Sequence, residues 1–171
     1  MQSIYFVDSN FTYESSKKSI LSIRYATDGF SFCVHDETEK LVVFVHEPYA
    51  ADSREAAVAR LKNYVVNDAI LNLRFKKVYI MPCFKEKLLV PGAFFDKANI
   101  ATLYTVNQEV SPDDTILYHH IEGIEAYLVE TVISSFHDFV REHFPVVQIV
   151  NGAYPFILGA MSKALRDTEQ I

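Results

Sequence analysis

Hydrophobic positions alternate with polar ones from residue 20 onward. Leu21, Ile23 and Tyr25 share one face of an extended segment, which predicts a half-buried strand over 20–27. Asp28-Gly29 follows, a strong hairpin signal because both residues tolerate turn dihedrals. Phe30, Phe32 and Val34 repeat the alternation and predict a second strand over 30–36. After a polar turn at 37–39, residues 41–46 are almost continuously apolar, the pattern of a strand covered on both faces. Residues 1–19 are polar and mixed and read as a lead-in with at most a short strand over 4–7.

The period then changes. Asp52 reads as a helix cap with Glu55 as its reciprocal partner, and Val58, Leu61, Val65 and Ala69 follow at helical spacing to an end near residue 73. A strand over 77–81 stops at Pro82. The stretch 84–112 is less regular, with a brief strand over 88–90 and a short helix opened by Pro91 that carries Phe94 and Phe95. Strands over 115–121 and 125–130 meet at Glu122-Gly123. A helix over 132–144 turns Phe136, Phe139, Val140 and Phe144 inward, and a strand over 146–150 follows. After Asn151-Gly152, Pro155 opens a last helix with Ile157, Met161 and Leu165. An antiparallel meander followed by strand–helix alternation predicts an α/β fold, a mixed sheet covered by helices. The ribonuclease H-like sheet that underlies the actin fold has this pattern.

Composition narrows the function classes. The chain has 171 residues, half of them hydrophobic, enough for one buried core. Lys+Arg 16 against Asp+Glu 22 gives a net charge of −6, so an acidic surface disfavours nucleic acid and anionic membranes. The longest uncharged stretch, 144–162, is broken by Pro145, Asn151, Gly152 and Pro155, so no membrane insertion is expected. The first ten residues lack a positive region followed by an apolar core, and the chain reads as cytoplasmic.

Candidate chemistries are then tested against residue spacing. Phosphate loops need clustered glycines, yet no two of the five here lie closer than seven residues. Two-metal nucleases need converging carboxylates, and the strand over 77–81 carries none. His119 and His120 are adjacent on a strand and point to opposite faces. His137 and His143 are six apart on a helix, roughly 240° around its axis. No metal site is expected. Cys33 and Cys83 can form neither a disulfide framework nor a four-thiolate zinc site, and both lie in or beside apolar strands. No catalytic residue is assigned. Phe84, Phe94, Phe95 and Tyr104 fall in the irregular region; exposed together, they would form an interaction surface for a protein partner or a second copy.

A resemblance extends this reading. Leu21-Ser22-Ile23-Arg24, Asp28-Gly29-Phe30-Ser31-Phe32, Leu89-Val90-Pro91 with Phe94 or Phe95, and the run from Phe139 to Pro145 resemble an uncharacterised family found mainly in Bacteroidota. The resemblance spans about 19–165. It implies an actin-like ATPase fold with no established function, related in fold to the actin-like platform proteins of type IV pilus and type II secretion systems. It also implies that residues 20–171 are the first ribonuclease H-like half, with an inserted region at about 84–114 and a second half missing or only begun. Active actin-like ATPases carry an Asp-x-Gly-Ser/Thr hairpin that holds phosphate; its equivalent here is Asp28, Gly29 and Ser31, with Phe30 where phosphate needs space. The expectation is therefore a non-catalytic scaffold or interaction module with no cofactor. The alternative is an ATP- and magnesium-binding module completed by a second half or subunit.

Overall fold

The computed structural model describes residues 2–121 and 123–168, with side chains described as far as Lys163. The main sheet has six strands: β1 (Ile4–Val7), β2 (Ile20–Ala26), β3 (Gly29–His35), β4 (Leu41–Pro48), β5 (Lys77–Pro82) and β9 (Val147–Ile149), in the order β1-β4-β3-β2-β5-β9. β2, β3 and β4 form the expected antiparallel meander. β5 runs parallel to β2, and β9 parallel to β5. The lead-in is part of this architecture: β1 pairs antiparallel with β4, and Thr12 caps a short helix, α1 (Tyr13–Ser16).

A smaller sheet, in the order β6-β8-β7, is built from β6 (Lys87–Pro91), β7 (Asp114–Ile121) and β8 (Ala126–Ile133). It takes strands from both sides of residue 114, so the region set apart from the main sheet is longer than 84–114. α3 (Ile100–Asn107) packs on it, with Ile100 and Tyr104 beside Val90 and Val129 in a second small core. That helix was not expected.

One face of the main sheet holds the principal core. Leu21, Ile23, Phe32, Val34, Val43, Val45, Val78 and Ile80 are buried against α2 (Arg54–Asn67) and α4 (Ser134–His143). Ala57, Val58, Leu61 and Val65 supply the α2 stripe, and Phe136 and Val140 the α4 stripe. Tyr25 meets Phe136 at 4.9 Å between ring centres, and Phe30 meets Tyr64 at 4.5 Å. The opposite face is different. Phe44, Cys33, Ser22, Tyr79 and Gln148 form a row across five strands, and none of them is buried. The expectation that the strand from 41 is covered on both faces is corrected: Val43 and Val45 are fully buried, whereas Phe44 and His46 face the half-exposed side.

Element ends moved for local reasons. Ser53, not Asp52, caps α2, its hydroxyl accepting from the Ala56 N–H at 3.1 Å. α2 ends at Asn67 rather than near 73 because Asn72 folds back and its amide donates to the carbonyls of Val65, Val66 and Asp68. β8 continues through Val132 and Ile133, which pair with Thr115 and Asp114, so α4 starts at Ser134. α5 (Tyr154–Thr168) follows the turn at Asn151-Gly152 as expected. The Leu165 side chain and Glu122 of the expected hairpin turn lie outside the described residues.

Candidate functional site

The β2–β3 hairpin brings the three expected phosphate-loop residues together only in sequence. Ala26 pairs with Gly29, so the turn is Thr27-Asp28, and Gly29 is the first residue of β3. Gly29 has φ +145°, and a side-chain carbon there would lie 2.6 Å from the Glu47 carbonyl oxygen. The close approach of β4 thus accounts for this glycine. Asp28 accepts from Arg24 at 3.1 Å at the exposed tip. Ser31 points to the half-exposed face, its hydroxyl 2.8 Å from His46 Nδ1. Of the three, Gly29 and Ser31 answer to contacts with β4, while Asp28 stays exposed at the tip, on the wall of a crevice.

A crevice of about 570 Å³ lies beside this hairpin, at the carboxyl ends of β2 and β5. Arg24, Asp28, the α2 cap Ser53 and first α2 residue Arg54, and the loop residues Cys83 and Lys85 line it. Ligands of open α/β sheets bind at such carboxyl ends. Arg54 is not free to move into the crevice: it donates to Asp114 at 2.6 Å and to Thr131 at 2.8 Å, tying α2 to the smaller sheet.

The four aromatics expected to share a surface do not. Tyr104 is fully buried and its hydroxyl donates to the Glu86 carbonyl at 2.9 Å. Phe84 packs edge-on to Tyr25 against the principal core. Phe95 stacks on Tyr127 at 3.6 Å in the second core. Phe94 alone of the four is largely exposed, at 74%. Apolar stripes interrupted by loops conceal which aromatic is core and which is surface; here Tyr104 is core, and Phe84 and Phe95 are half-buried against a core.

Where the two sheets meet, a buried polar group stands that spacing alone did not single out. Glu130 on β8 is buried, and Lys87, its register partner on β6, approaches it at 3.6 Å. Burial pushes the Glu130 carboxyl up to about 7, against the pull of Lys87 and the nearby Asn151 amide. Asn151 is fully buried after β9, yet neither its Nδ2 nor Glu130 Oε1 completes a hydrogen bond. The readable signal was a lone acid in the apolar run Ala126–Ile133. Among the described residues, no group of three or more His, Cys, Asp or Glu is placed to hold a metal ion.

A cleft of about 850 Å³ lies on the half-exposed face of the main sheet. Ser22, Cys33, Tyr79 and Met81 form its floor, and its wall is built where β7 meets the start of α5, with the His119 and Tyr154 rings 6.4 Å apart. His119 Nε2 is buried without a partner, and burial holds its pKa below the usual imidazole range. Burial also pushes the Cys33 thiol up, which keeps it protonated.

Comparison with known proteins now decides the family. The family model described as protein of unknown function, DUF3822, matches residues 8–171. The chain belongs to that family. A crystal structure from Bacteroides thetaiotaomicron VPI-5482, described as a protein with actin-like ATPase fold and unknown function, superposes with a TM-score of 0.80 at 24% identity. The match covers 90% of this chain and 59% of that protein, so the chain spans under two thirds of the length of its solved neighbour. No curated protein matches significantly. The DUF3822 chain therefore has the mixed α/β, actin-like fold expected from its strand order. No helix among its described residues is long and apolar enough to cross a membrane.

Proposed function

We propose that this chain is a non-catalytic, actin-like interaction module of the cytoplasm. The observation that carries the reading is the one-sided main sheet. α2 and α4 cover one face, while the row Phe44, Cys33, Ser22, Tyr79 and Gln148 stays half-exposed on the other. Sheets of parallel strands, as at β2, β5 and β9, are ordinarily covered on both faces, and the partial exposure of this face among the described residues supports the reading. The contacts of Gly29 and Ser31 with β4 support the same reading.

A second reading has its own observation. The crevice beside the hairpin sits at the carboxyl ends of β2 and β5, with Arg24 and the α2 start on its wall. Under that reading it takes ATP with magnesium, and a second half or subunit closes it. Equilibrium dialysis of the chain against magnesium–ATP separates the two. The interaction module retains no nucleotide. Saturable retention that Asp28→Ala abolishes would replace the first reading with the second.

A further inference from the structure

The half-exposed face has a definite chemistry. Its strands present Arg24, Lys77, His35 and His46, and no aspartate or glutamate on β2, β3, β4, β5 or β9 points to it. Among the described residues no carboxylate lines the 850 Å³ cleft, although the chain as a whole carries a net charge of −6. Lys77 stands at the cleft with its ammonium 4.6 Å over the Tyr79 ring. Arg24 is matched by Asp28 at the hairpin tip, and His120 by Glu125 beyond the rim. Met81, Val150, Pro155 and Leu158 give the lining a soft apolar part, beside the uncharged polar Ser22 and Gln148. His119 Nε2 at the wall lacks a hydrogen-bond partner.

The size fits one element. Strands are spaced about 4.8 Å apart, and a helix with its side chains is about 10 Å across. One helix therefore spans the β2–β5–β9 part of the floor, and helices are what cover parallel sheets. Resting on the interaction reading above, we propose that the cleft over β2, β5 and β9 docks an amphipathic helix of a partner protein. The helix lays its apolar stripe on Tyr79, Met81 and Val150 and sets a carboxylate against Lys77. A polar group on it meets His119.

Two labelled peptides of about 18 residues, long enough to hold a helix in water, test this on the 171-residue chain. They share a leucine stripe and differ only in flanking Glu or Lys. Fluorescence anisotropy gives affinity, and methyl spectra of the methionines give location, because Met81 lies in the cleft and Met161 on α5. The Glu peptide is expected to bind at least tenfold more tightly than the Lys peptide and to move the Met81 methyl. Lys77→Glu is expected to erase that preference, with its melting curve reporting that the chain still folds. Binding of neither peptide, equal binding of both, or binding that leaves Met81 unmoved overturns the proposal, while the absence of nucleotide retention keeps the interaction reading intact. A Met81 shift that grows with protein concentration alone overturns it in favour of a second copy.

Discussion

Gly29 cannot carry a side chain without moving β4, because the Glu47 carbonyl already occupies that space. Gly29→Ala is therefore expected to cost about 2–3 kcal/mol, read as a lower urea midpoint at unchanged slope. Glu130 sets a pH dependence. Its carboxyl is held at about 7 in the fold against 4.5 when free. Below 4.5 both folded and unfolded chains are protonated there, and the group has no effect. Between 4.5 and about 7 the unfolded chain releases the proton first, so stability falls as pH rises, by about 3 kcal/mol in total. Urea unfolding of wild type and Glu130→Gln across this range should show the extra fall only in wild type. Parallel pH profiles for the two proteins would refute the assignment. Comparing slopes rather than absolute stabilities removes the effect of leaving Lys87 without its carboxylate.

At the scale of elements, β5 carries the argument in adjacent residues. Ile80 is buried against the helices, whereas Tyr79 faces the open side. Ile80→Ala is expected to cost 2–5 kcal/mol, on the order of other buried aliphatic truncations, and Tyr79→Ser less than about 1 kcal/mol. Similar costs for both would mean that the second face is packed. α2 offers a parallel case: Arg54→Ala strands the buried Asp114 carboxylate and should cost about 3–5 kcal/mol by denaturant titration. The strands of the meander were legible because alternation at Leu21–Tyr25 and Phe30–Val34 is a period-two pattern that no helix shares. α3 was not legible. Its run Ile100–Asn107 has two threonines and no side-chain cap, and its helicity comes from packing Ile100 and Tyr104 on the smaller sheet. The end of α2 was missed because Asn72 acts from beyond it, a contact between turn and helix that spacing does not display. The hairpin is equivalent to a phosphate hairpin only by the family resemblance, and its glycine answers to a carbonyl on another strand.

At the scale of the whole molecule, this DUF3822 chain has an actin-like fold, and at its first hairpin Asp28 pairs with Arg24 and Ser31 with His46. Two sheets meet at a buried polar junction, where Arg54 of α2 holds Asp114 of the smaller sheet and Lys87–Glu130 joins two strands within that sheet. Under the proposed reading the working surface is the open face rather than the hairpin crevice. Thermal unfolding of the chain with and without millimolar magnesium–ATP tests this most directly. A ligand present at about 100 times its dissociation constant stabilises by roughly 2.7 kcal/mol, a shift of several degrees for a domain of this size. The account predicts superimposable melting curves. A saturable rise of several degrees, lost in Asp28→Ala, would contradict it and return the hairpin to the centre of the function.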